Sequence, residues 1–201
     1  MTNFLSFPQR GSRILLFWGA AMLVYVLMVF GPLADIERIT GAMAFDMRPT
    51  GYSYVDALAL ISALGDEGCR IYLLWQIPLD TVYPALLAIS SASSLYWLSN
   101  SAGVTVRWYR AVAVIAYLAA TADYAENLLI VWMLNAGTAV PEAMVAAASL
   151  ATMTKSILST VVFSALLIAI TEYAIRRLSR IFLFISVSPR FQNYQAKRLQ
   201  F

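Results

Sequence analysis

Four long apolar runs, at roughly 14–31, 71–98, 108–134 and 143–175, constrain this chain more than any other feature. Crossing a bilayer takes about 20 mostly apolar residues, and each run is close to or above that length. In hydrocarbon every backbone polar group must find its partner inside its own segment, so such runs predict helices. Of the 201 residues 12% are charged, about half the share in soluble domains. The expected fold class is an all-α integral membrane protein: a single membrane domain over 1–201 with four transmembrane helices.

Charge distribution predicts the orientation. Basic residues collect before the first run (Arg10, Arg13), between the second and third (Arg107, Arg110), and in a tail over 176–201 (Arg176, Arg177, Arg180, Arg190, Lys197, Arg198). The link between the first and second runs carries six acids (Asp35, Glu37, Asp46, Asp56, Asp66, Glu67) against Arg38, Arg48 and Arg70. The positive-inside rule then places both termini in the cytoplasm. Trp18, Trp97 and Trp108 fall at the expected inner ends, and Trp75 and Trp132 near the outer ends, the interfacial belt of spanning helices. The basic residues mark the cytoplasmic face and do not read as a nucleic-acid site. An Ala42-Met43-Ala44 motif lies far beyond the first apolar run, so the first helix is expected to be an uncleaved anchor.

Composition removes much chemistry. With no histidine, His-ligated haem, His-zinc sites and Ser-His or Cys-His catalysis have no ligand or base. With Cys69 as the one cysteine, neither an internal disulfide nor an iron–sulfur cluster is available. No cofactor is expected.

The first outer loop has structure of its own. Pro49-Thr50-Gly51 signals a turn, and Ser53 with Asp56 resembles a capping box with Asp in place of Glu. Tyr54, Leu58, Ile61 and Leu64 follow at helical spacing, with Gly65 at a C′ position. A short amphipathic helix over about 53–64 is predicted against the outer mouth of the bundle. In the second transmembrane run, Pro78 and Pro84 predict a kink, and Pro84 frees the carbonyl of Asp80. A freed carbonyl and a carboxylate on one residue attract water or a cation, unless the proline only bends the helix.

Asp80, Asp123, Glu126 and Lys155 lie inside the apolar runs. A charge at the bilayer centre costs at least about 2.5–3.5 kcal/mol, so such residues face inward and find partners. Counting 1.5 Å per residue from the expected helix ends puts all four ~12–18 Å below the outer surface. Antiparallel neighbours bring them level. Asp123, Glu126 and Asn127 share one helix face by i+3 and i+4 spacing. Gln76, Asp80, Tyr83, Leu87 and Ser91 form a second stripe, and Thr152, Lys155, Ser156 and Ser159 a third, with Tyr25 at comparable depth. Three acids against one lysine leave two negative charges in excess. A protonated carboxyl, a bound cation, or screening by water and Arg70 must balance them. Polar glue between helices is the plainer alternative. A carboxylate-bridged metal pair is disfavoured, because Asp123-x-x-Glu126 lacks the histidine such sites use.

The stretch GYSYVDALALISALGDEGCRIYLLWQIPLDTVYPALL and the later ADYAENLL resemble a group of uncharacterised bacterial four-helix membrane proteins. That group carries a Gly-Tyr-Ser…Ala-Leu-Gly-x-Glu-Gly-x-Arg segment, a helix with Pro and Asp, and then Asp-Tyr-x-Glu-Asn. The matching residues are Gly51, Gly65, Glu67, Gly68, Arg70, Asp80, Asp123, Tyr124, Glu126 and Asn127, over about 51–130. The resemblance implies the architecture and brings no activity with it.

The expected protein is a multi-pass resident of the bacterial inner membrane with a buried ion or proton site formed by Asp80, Asp123, Glu126, Asn127, Lys155, Tyr83, Tyr124 and Tyr25. Its expected function is ion- or proton-coupled transport of a small solute, or a cation pathway. The alternative is a non-catalytic accessory subunit of a larger membrane complex. No enzymatic role is favoured; an acid acting on a lipid is the enzymatic alternative left. Partners are the lipid bilayer and either a homo-oligomer or that larger complex.

Overall fold

A computed structural model describes residues 11–102 and 106–187, and most of these are helical. Arg10, Arg190, Lys197, Arg198 and the tail over 188–201 lie outside the described residues, as does the side chain of Arg107. Six α-helices follow in order: α1 (Gly11–Phe30), α2 (Pro32–Thr40), α3 (Tyr54–Ile71), α4 (Ile77–Ala102), α5 (Val106–Ala136) and α6 (Glu142–Val187). Among the described residues four stretches are long and apolar enough to cross a membrane: Gly11–Thr40, Tyr54–Ser101, Trp108–Ala139 and Glu142–Ile181.

Local chemistry sets the breaks. Pro32 opens α2 after Gly31, a position where its missing N–H costs nothing. A 3₁₀ turn, Phe45–Met47, follows. Gly51 then takes a positive φ of 78° and runs so close to α6 that a Cβ there would sit 2.5 Å from Ser149 Oγ. This approach lets the Tyr52 amide donate to Ser149 Oγ at 2.9 Å. Ser53 and Asp56 exchange both bonds of a capping box at the start of α3. Gly65, at φ 55° and ψ −164°, interrupts that helix, a conformation open chiefly to glycine. Beyond it the chain does not leave the helix. A π turn, Tyr72–Gln76, joins α3 to α4, with the Ile77 amide reaching back to the Tyr72 carbonyl. The wider turn accommodates Pro78, which has no N–H to offer.

The segment between the first two apolar runs therefore holds more helix than its sequence suggests, since α2 and the 3₁₀ turn precede α3. The last helix also continues to Val187, beyond the expected end at 175, and carries Arg176, Arg177 and Arg180. Basic residues facing solvent do not end a helix; their propensity is high.

α4 is the centre of the bundle, in contact with α1, α5 and α6, and α5 packs along α6. α1 meets it along a narrow line, burying only Ile14, Ala21 and Met28, while Leu15, Leu16, Leu23 and Leu27 stay exposed. Two apolar cores form. One joins Met28, Ile36, Phe45, Leu64, Tyr72, Met133 and Val145, from α1, α2, the 3₁₀ turn, α3, the π turn, α5 and α6. The other, from Leu95, Tyr109, Ala116, Val162 and Ala169, joins the opposite ends of α4, α5 and α6. Between them runs a buried polar layer: Gln76, Asp80, Asp123, Glu126, Asn127 and Thr152.

Candidate functional site

The layer is built on α4, α5, α6 and the π turn. Helical spacing places Asp123, Glu126 and Asn127 on the buried face of α5. From α6, Lys155 Nζ lies 3.2 Å from Asp123 Oδ1 and 2.5 Å from Glu126 Oε2. Thr152, one turn away, donates to Glu126 Oε1 at 2.5 Å. Glu126 is fully buried, yet both its oxygens are engaged. This triad ties α5 to α6.

A second group lies on α4. Asn127 Nδ2 donates to the backbone carbonyl of Asp80 at 3.1 Å. This is the carbonyl that Pro84 deprives of its helical donor, so a side chain of α5 repairs the break that proline makes. Neither water nor a cation is needed there. The Asp80 carboxyl itself is 3% exposed and lies within electrostatic reach of Asp123, Asp46 and Lys155. Among the described residues no donor meets its Oδ2, nor Gln76 Oε1, nor Asn127 Oδ1.

Asp46 is the residue sequence reasoning missed. It counted as one loop acid among six. In the structure the 3₁₀ turn delivers it onto the bundle: Tyr72 donates to Oδ1 at 2.5 Å, and Gln76 Nε2 donates to Oδ2 at 2.7 Å. The Phe45 amide donates to Tyr72 Oη at 3.0 Å, and the Phe45 ring is fully buried against Tyr52 and Tyr72. The signal was present, since Asp46 sits in the apolar run Ala42-Met43-Ala44-Phe45 and before Met47. An acid inside an apolar segment of a polar loop is an acid headed for the interior. With it, four acids face Lys155.

The other expected site residues divide. Tyr83 lies beside the layer, within reach of the charges of Asp80, Asp123 and Lys155. Tyr25 touches the Tyr83 ring at 5.8 Å between centroids but is 38% exposed and stands outside the layer. Tyr124 turns away, and its hydroxyl donates to the Thr81 carbonyl at 3.0 Å on an exposed face. Arg70 is exposed. Tyr52 joins from the loop: burial and the nearby Glu126 charge raise its phenol above the ordinary range and keep it neutral.

On the far side of Asp123 is a cleft of about 20 Å³, with Ser91, Ser159, Pro84 and Phe163 in its wall. That is room for about one water. Among the described residues no three Cys, Asp or Glu side chains converge as a metal ion requires. Chemically the layer can hold and exchange a proton or a small cation. Compared with family models, with curated proteins and with solved structures, the chain matches none.

Proposed function

We propose that this chain is a multi-pass protein of the bacterial inner membrane, with both termini cytoplasmic, and that its polar layer couples a proton or small cation to the movement of a small solute. The observation that carries the reading is the acidic excess of a layer enclosed between two apolar cores: Asp46, Asp80, Asp123 and Glu126 against Lys155. Buried charge of that size is not left unbalanced. Exposed apolar side chains on α1, α5 and α6, among them Leu23, Leu128 and Leu167, suit contact with lipid. Trp75 and Trp132, both more than 60% exposed, suit an interface. Asp46 and the 3₁₀ turn then lie toward the outer face. Four spans are few for an independent transporter, so the working unit is a homo-oligomer.

The test is flux. Protein in liposomes should dissipate an imposed proton or sodium gradient, and Asp80→Asn should abolish this; no flux under either gradient would sink the reading. Topology has its own check. In a Cys69→Ser background, a cysteine at Thr138 should react with an impermeant reagent in intact cells, and one at Ser179 only with a permeant one. Reversed labelling would invert the proposed orientation.

One observation favours a second reading, an accessory subunit of a larger complex. The cleft beside the charges has room for about one water, too little for a solute, and the Lys155 triad by itself fixes α5 against α6. Mild extraction decides between them. A homo-oligomer supports the first reading, and a single copy among foreign subunits the second.

A further inference from the structure

Orphaned oxygens in the polar layer identify what it would hold. Side-chain amides are ambiguous end for end, and only their partners settle them. Here the partners do so. Gln76 Nε2 points at an Asp46 carboxylate oxygen, which accepts and does not donate when ionised. Asn127 Nδ2 points at the Asp80 backbone carbonyl, which can only accept. Both amides are therefore fixed with their oxygens turned away from those partners. Neither Gln76 Oε1 nor Asn127 Oδ1 finds a donor among the described residues, and the same holds for Asp80 Oδ2. The three residues are 0%, 5% and 3% exposed. Gln76 and Asp80 are one helical turn apart, and Asn127 is bonded to Asp80.

Three buried acceptors, one of them a carboxylate, are left without a donor on neighbouring residues of the layer. Lys155 does not supply it, being engaged by Asp123 and Glu126. The charges facing Asp80 from the neighbouring elements are Asp123 on α5, Lys155 on α6 and Asp46 on the 3₁₀ turn, and Glu126 on α5 pairs with the same Lys155. Fully ionised, these five side chains carry three negative charges in excess. Only one of the three oxygens belongs to a charged group, a donor set that matches a singly charged ion better than a divalent one.

We infer that Gln76 Oε1, Asp80 Oδ2 and Asn127 Oδ1 form a site for one small monovalent cation, sodium. Asp46 is a positioning residue, since its carboxylate holds the Gln76 amide with the oxygen free. The inference rests on reading the polar layer as a cation site, and it names the ligand and its three contacts. Sodium would engage all three oxygens. A proton delivered to Asp80 would supply one donor and satisfy fewer of them.

The experiment measures thermal unfolding of the full chain in detergent, with sodium chloride exchanged for choline chloride at constant ionic strength, and separately across pH 5 to 8. A ligand that binds only the folded state raises its midpoint. Sodium at about a hundred times its dissociation constant should raise it by roughly 5 °C. Gln76→Leu, Asn127→Leu and Asp80→Asn should each remove the rise. A rise on acidification without a sodium effect, lost in Asp80→Asn, shows protonation of the Asp80 carboxyl and overturns the sodium site. Calorimetric titration of the unaltered protein with sodium chloride keeps the test open if a variant fails to fold. No response to sodium or pH, or a response that survives in all three variants, overturns the site. Liposome flux is read independently. Flux without a response at these oxygens discards the site and keeps the transport reading; the response without flux keeps the site and discards transport.

Discussion

Lys155 with Asp123 and Glu126, and Asp80 with Gln76 and Asn127, share one buried layer and face one another across α4, α5 and α6. They are finished differently. In the first group each acid has a partner in Lys155, and Thr152 takes the remaining oxygen of Glu126. In the second the backbone damage caused by Pro84 is repaired, yet three side-chain oxygens are left without donors. The first group has what a structural tie requires. The second leaves acceptors for the cation proposed above. The contrast separates two questions that the charge count alone merges: what holds the helices together, and what the layer exchanges with its surroundings.

The largest expected effect comes from breaking the finished group. Lys155→Met leaves two buried acids without their cation and should lower stability by about 3–5 kcal/mol. Adding Asp123→Asn should recover part of the loss, read as a non-additive pair in detergent melting. If Lys155→Met melts like the unaltered protein, the triad is not the tie. A smaller effect follows at the α4–α5 joint. Asn127→Leu orphans the Asp80 carbonyl and should cost about 1–3 kcal/mol. Pro84→Ala restores a backbone N–H for that carbonyl, so the double variant should be more stable than Asn127→Leu alone. Equal stability would mean the proline break is not what Asn127 repairs.

How much of this was legible beforehand depends on the reach of the interactions. Rise per residue is fixed along a helix, so counting inward brought Asp123, Glu126 and Lys155 level, and the structure has them ion-paired. Long apolar runs announce long helices, and Ser53 with Asp56 announces the start of α3. By contrast, α2 is nine residues with Asp35, Glu37 and Arg38 among them, too short and polar for an apolar pattern to reveal. The docking of Asp46 on Tyr72 and Gln76 spans 26 and 30 residues of chain. No periodicity encodes a contact made by a loop folding back. Tyr25 is expected from depth alone and Tyr124 from the resemblance, and neither says which way a side chain turns.

The loop contact supplies a third prediction. Tyr72→Phe removes the hydroxyl that donates to Asp46 and accepts from the Phe45 amide. It should cost about 1–2 kcal/mol and speed hydrogen exchange at the Phe45 amide. Unchanged exchange would show that the 3₁₀ turn is held by the Phe45 ring alone. The smallest effect belongs to the unfinished group. Without sodium, Asp80→Asn should be near neutral or mildly stabilising, because it removes a buried charge that has no ion pair among the described residues.

Infrared difference spectroscopy of the carboxyl groups puts the contrast to its most direct test. Sodium addition or acidification should produce a carboxyl band that vanishes in Asp80→Asn and persists in Asp123→Asn and Glu126→Gln. A band that instead follows Asp123 or Glu126, or no band at all, would contradict the assignment of exchange to the Asp80 group.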